Sequence, residues 1–190
     1  MRRRTLLGIG AAAAGGWWVA ATGADDSGHS SGGGRPDSGF AAPDIDTAAA
    51  EQLIRDGIDE TRAREGREAL AADATLREAA HDHARDMAER DFYGHVNPDG
   101  EQPWDRVACQ QASETIHRAP YASDAYNAVE GGGQQYDCTT AEGVAKYTVE
   151  GWRLSDSHRE ILLRRAWTRV GLGVVVDAED DATFVVAMFC

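Results

Sequence analysis

The hydrophobic period of this chain changes once, close to its C-terminal end. Val170-Gly171-Leu172-Gly173-Val174-Val175-Val176 and Thr183-Phe184-Val185-Val186-Ala187-Met188-Phe189 are apolar at almost every position and rich in β-branched residues. The acidic run Asp177 to Asp181 separates them. Such segments read as a hairpin of largely buried strands. The regular segments before them repeat at helical spacing. Helices first and strands last imply an α+β layering in which helices cover the sheet.

Three helices are predicted ahead of the hairpin. Ala50, Leu53, Ile54, Gly57 and Ile58 form one apolar stripe. Leu76, Ala79, Ala80, His83, Ala84 and Met87 form a second, with Asp73 as N-cap. Val144, Ala145, Thr148, Val149 and Trp152 form a third, where Thr139 and Glu142 have capping-box spacing. A short fourth helix is expected from Ser157, again with a capping-box partner at Glu160. Between the second and third helices, His117 to Asp137 carries Pro120, three tyrosines (Tyr121, Tyr126, Tyr136) and Gly131-Gly132-Gly133, and reads as a long surface loop.

The N-terminus has a different character. Residues 1–24 begin Met1-Arg2-Arg3-Arg4-Thr5-Leu6-Leu7 and continue as an Ala/Gly/Trp run, the pattern of an export signal. Arg3-Arg4-Thr5-Leu6-Leu7 is similar to a twin-arginine signal, and the low hydrophobicity that follows suits that route. An uncleaved anchor is the alternative, but glycine and alanine make a poor membrane-spanning helix, so no span is expected in the mature form. Residues 25–45, rich in Gly, Ser, Asp and Pro, read as a flexible linker. The folded domain is expected over 46–190, and as a monomer. Net charge is -13, from 32 acidic and 19 basic residues, which disfavours nucleic acid and anionic lipid. Lys146 is the only lysine, and a lysine-poor acidic surface suits a halophilic source.

Three cysteines are present: Cys109, Cys138 and Cys190. In an exported protein a bridge is expected. Cys109 and Cys138 flank the loop-like segment, which favours pairing them and leaving Cys190 free. Three unpaired buried thiols are the alternative.

Two histidines stand where a cleft would use them. His95 follows the second helix and precedes the turn Asn97-Pro98-Asp99-Gly100. Trp104 is expected to pack under this loop and Asp105 with Arg106 to pin it. His158 opens the fourth helix, where the helix dipole and Arg159 disfavour imidazolium. A neutral imidazole is what a metal ligand or proton acceptor needs. Taken singly, each histidine also fits a plain role, one solvated and one packing a helix start. His81 and His83 are two apart, so they point to different faces of a helix. Ser155 and Ser157 lie near His158, but neither sits on a strand-to-helix nucleophile elbow, which argues against a serine hydrolase.

The segments Asp91 to Val107 and Gly151-Trp152-Arg153-Leu154-Ser155-Asp156-Ser157-His158-Arg159-Glu160-Ile161 resemble the signature of the CAP superfamily (cysteine-rich secretory, antigen 5 and pathogenesis-related 1 proteins), in its prokaryotic branch. Ile58 to Arg62, Ala80 to Ala88 and Arg169 to Val174 extend the resemblance over most of 46–189. It implies a three-layer α-β-α sandwich and an extracellular or cell-surface location. It also implies a cleft holding two histidines and two glutamates. Carried over by position, these are His95, Glu114 within Ser113-Glu114-Thr115-Ile116, and His158. Ser155 occupies the place of the second glutamate, as in many prokaryotic members. The resemblance implies ligand binding in this cleft, for a small molecule, lipid or peptide. A divalent metal such as zinc would be held by His95 and His158, with Glu114 as a third ligand or orienting a water. Two alternatives stay open. One is a metal-dependent hydrolase of peptides or envelope polymers; the other is a non-catalytic interaction protein using residues 117–137.

Overall fold

The computed structural model describes residues 44–109, 111–127 and 133–190. The regions read as signal and linker lie outside the described residues, apart from Asp44 and Ile45. The described chain runs α1 (Thr47–Arg64), β1 (Ala71–Ala72), α2 (Ala74–Glu89), a 3-10 turn (Pro103–Asp105), β2 (Ser113–Pro120), β3 (Ala125–Asn127), β4 (Gln134–Tyr136), α3 (Ala141–Leu154), α4 (Asp156–Leu162), β5 (Arg169–Asp177) and β6 (Ala182–Phe189).

The main sheet has the order β1-β5-β6-β2, so β2 is an edge strand. β5 and β6 form the expected antiparallel hairpin, Val170 opposite Phe189 and Asp177 opposite Ala182. Strand alternation then sorts the side chains into two layers. Val170, Leu172, Val174, Val185, Ala187 and Phe189 pack with Ala50, Ile54 and Ile58 of α1, Val144 and Trp152 of α3 and Leu162 of α4. Phe184, Val186, Met188 and Ile116 pack with Leu76, Ala80, Ala84 and Met87 of α2. Both faces of the sheet are thus covered, and the α-β-α sandwich is present.

α2 lies directly on β5 because two positions there have no side chain. A Cβ on Gly171 would stand 2.1 Å from the Arg77 nitrogen, and one on Gly173 would stand 2.4 Å from the Ala80 carbonyl carbon. α2 starts as predicted: the Asp73 carboxylate accepts from the Thr75 and Leu76 amides at 2.9 and 3.0 Å.

Four local expectations are corrected. The N-cap of α3 is Thr140, whose hydroxyl accepts from the Gly143 amide at 3.1 Å, while Thr139 turns to Asp137. α4 starts two residues early, with Ser155 as N-cap and no side-chain capping bond, so Ser157 does not cap it and His158 is not its first residue. The segment 117–137 is not one long loop: β2 continues through it to Pro120, and β3 pairs with β4 as a small hairpin. Tyr136 of that hairpin is buried in the core.

The disulfide also differs from expectation. Cys109 bonds to Cys190, and Cys138 is a buried free thiol. The register explains the choice. Ser113 lies opposite Phe189, so the residue after β6 reaches the segment leading into β2. Cys138 instead points into the cluster beneath α3, where burial pushes its thiol up to about 11.

Candidate functional site

The centre of the site is Glu114, the second residue of β2. Alternation along β2 puts Glu114 and Ile116 on the α2 side of the sheet, and the Glu114 side chain is fully buried. A buried carboxylate must be paired, and each of its oxygens is engaged. Oε1 accepts from His95 Nδ1 at 2.8 Å, and Oε2 accepts from Arg106 Nη1 at 2.9 Å.

The loop that carries His95 is built residue by residue. α2 ends at Glu89, and Asp91 takes a left-handed φ of 49° that turns the chain back. The Asn97 side chain accepts from the amides of Asp99 and Glu101 at 3.1 and 3.0 Å, and Gly100 supplies the φ of 86° that the turn requires. Arg90 reaches across to Asp99 at 2.7 Å. Arg106 then clamps the loop from behind, donating to the carbonyls of His95 and Glu101 at 2.9 and 3.2 Å. Asp105 does not pair with Arg106; it closes the 3-10 turn by accepting from the Gln102 amide at 2.9 Å. Trp104 is 57% exposed and does not pack under the loop.

His158 arrives from the other helical layer. It is the third residue of α4 and half-buried. Its imidazole is held below the usual value chiefly by burial and then by its repulsion with the His95 imidazole when both carry a proton. The sequence pointed to a depressed His158 from the helix terminus. The depression is there, but its causes are burial first and the imidazole of His95 second. Ser155 joins α3 to α4 just ahead of His158, its hydroxyl 3.2 Å from that of Ser157.

Three further residues belong to this region; of these only Arg106 was expected from sequence to support it, as a pin for the loop. Arg106 is the counter-ion of Glu114. His83, on the core face of α2, has its side chain fully buried, with Nε2 3.0 Å from the Gly94 carbonyl and 3.6 Å from Glu114 Oε1. His117 lies on the opposite face of β2, edge-on to Tyr147 and Trp152, and its pKa is pushed down to about 4, by burial first and His158 second. Gly151 leaves room for that ring, since a Cβ there would stand 2.6 Å from His117 Cε1. His83 already stood in an apolar stripe, and a histidine on a core face demands a partner. Arg106 pins the loop as expected, though through backbone carbonyls and Glu114 instead of Asp105, and nothing local in the sequence marked His117.

Among the described residues, no group of three or more His, Cys, Asp or Glu side chains is arranged to hold a metal ion. Among them, too, no helix is long and apolar enough to cross a membrane.

Comparison with known proteins agrees with this architecture. The chain is 31% identical over 135 residues to the uncharacterized membrane protein YlbC of Bacillus subtilis, covering 68% of this chain and 32% of that one. It thus spans about a third of the curated relative it matches. An extracellular protein of Bacillus anthracis containing an SCP domain superposes with a TM-score of 0.56 at 27% identity, over 75% of this chain and 40% of that one. An outer surface protein of Borrelia burgdorferi gives 0.58 at 21% identity, over 76% of this chain and 94% of that one. The sequence profile of the CAP, or cysteine-rich secretory protein, family matches residues 55–108 and 106–189, and the chain belongs to that family.

Proposed function

We propose that this is an exported CAP protein that binds a ligand in a cleft lined by His95, Glu114, Ser155 and His158. The observation that carries this is the state of His95. A carboxylate only accepts, so the 2.8 Å contact with Glu114 puts the proton on Nδ1 and leaves Nε2 as the free ring nitrogen. A carboxylate behind an imidazole is also how proteins orient and strengthen metal-ligating histidines. His158 is pushed toward its neutral form. With both rings neutral, each would turn a lone-pair nitrogen to the cleft. They suit a ligand that offers protons or a divalent cation.

The fit to a metal is that of a pair. Glu114 has both oxygens engaged, so it orients His95 instead of serving as a third ligand. A divalent metal such as zinc would be held by His95 and His158 alone, with other positions left to solvent or ligand. When bound it would act as a Lewis acid toward a ligand oxygen. A hydrolase would need Glu114 to take a proton from water. The ion pair with Arg106 at 2.9 Å opposes that, so binding without turnover is the better reading. Export by a twin-arginine signal and adaptation of the acidic surface to salt complete the proposal.

Zinc titration by calorimetry tests it. Wild-type protein should bind, and both His95→Ala and His158→Ala should lose at least tenfold in affinity. No binding by the wild type in low or high salt, or binding that survives both substitutions, would overturn the metal part of the reading.

A further inference from the structure

We propose that His83 is a positioning residue for the cleft: it ties α2 to the Gly94 carbonyl and stands against Glu114, and so keeps His95 in its Nδ1-protonated form. The inference rests on the reading of the cleft given above.

His83 is placed to act on two things at once. Its Nε2 meets the Gly94 carbonyl at 3.0 Å, and a carbonyl only accepts, so Nε2 carries the proton. Gly94 immediately precedes His95, so this bond fixes the backbone from which the His95 ring projects. Arg106 holds the other side of the same residue through the His95 carbonyl at 2.9 Å. Together they anchor the peptide units on either side of His95, one from α2 and one from the segment leading into β2.

The second target is Glu114. His83 Nε2 is 3.6 Å from Oε1, too far for a hydrogen bond but close enough to cover that oxygen. With His83 on one side and Arg106 on Oε2, Oε1 is left to a single strong donor, His95 Nδ1 at 2.8 Å.

His83 must stay neutral to do this. Its Nδ1 is buried with no hydrogen-bond partner, so a proton there would be an unsatisfied buried donor. Burial is the main influence and holds the imidazole below its usual value; Glu114 opposes it, Arg106 adds to it, and the Gly94 hydrogen bond and Asp86 oppose it. Phe92 packs at a ring-centroid distance of 5.9 Å and keeps water away. A histidine on the core face of an amphipathic helix is in this case a support of the cleft, through Gly94 and Glu114.

The test compares His83→Gln, which keeps an N–H donor, with His83→Phe, which keeps a ring but no donor. The readouts are the His95 tautomer by long-range nitrogen–proton NMR and hydrogen exchange at the His95 amide. Wild type should show His95 protonated at Nδ1. His83→Phe should mix in the Nε2-protonated form and speed exchange about fivefold, the scale of one lost hydrogen bond. His83→Gln should restore both readouts. The proposal is overturned if His83→Phe leaves both unchanged, or if His83→Gln fails to restore them. Should His83→Phe not fold, His83→Gln decides by the tautomer it shows. Zinc binding by wild type is read separately, so an idle cleft with a fixed His95 tautomer would sink the metal reading and leave this one standing.

Discussion

Glu114→Gln isolates the charge at the centre of the site. The substitution keeps volume and shape, so no cavity contributes. The Glu114 side chain is 0% exposed and that of Arg106 is 6% exposed, so the guanidinium would lose its counter-ion in a place water barely reaches. Breaking one partner of a buried pair costs about 3–5 kcal/mol. Arg106 keeps two carbonyl acceptors and lies 3.4 Å from Glu101, which places the expected cost at the lower end, about 3 kcal/mol. In urea unfolding this is a midpoint shift of about 1–2 M at an m-value near 2 kcal/mol/M. There is a second, sharper consequence. An amide has one accepting and one donating end, whereas both neighbours, His95 Nδ1 and Arg106 Nη1, now donate. Arg106 cannot accept, so the amide oxygen stays with it and the amide nitrogen faces His95. His95 must then move its proton to Nε2, the nitrogen proposed for ligand binding. A destabilisation below about 0.5 kcal/mol with unchanged m, or a His95 that keeps its Nδ1 proton, would refute the reasoning.

Three other outcomes are expected. Lowering the pH should destabilise the fold through His117: its folded-state value is about 4 against an ordinary 6.5, so the unfolded chain takes up the proton first. Its contribution is intact above pH 6.5 and falls by about 3 kcal/mol as pH drops to 4, and His117→Gln should flatten that slope in urea unfolding followed against pH. Gly171→Ala should cost about 3 kcal/mol or more, because its Cβ meets α2 backbone atoms at 2.1 and 2.2 Å, and a loss under 1 kcal/mol in thermal unfolding would contradict the packing described. The Cys138 thiol should resist iodoacetamide in the native protein at mildly alkaline pH and react once per chain in concentrated urea without reductant; rapid native labelling would show that it is not buried.

Much of the fold was legible because its signals are local. The stripes on α1, α2 and α3 and the apolar runs of β5 and β6 are each set by residues within one element. The errors arose where a distant partner decides. Thr140 caps α3 while Thr139 is held by the Asp137 carboxylate, which the capping-box spacing does not report. Cys109 pairs with Cys190 through the register of β2 on β6, a relation across 81 residues. The same holds at the site. His95 and His158 were found by resemblance and Glu114 by position, whereas Arg106 and His83 take their meaning from a carboxylate that only the folded chain brings to them.

Because β2 sits at the margin of the sheet and alternates, it hands Glu114 to one helical layer and His117 to the other. It therefore works as a ruler. Inserting or deleting a single residue between Cys109 and Glu114 would not merely shift the acidic group along the strand. It would turn that group toward α3 and deliver its neighbour to α2, leaving two imidazoles and a guanidinium facing a threonine or a serine. Length variation in this stretch should therefore be poorly tolerated.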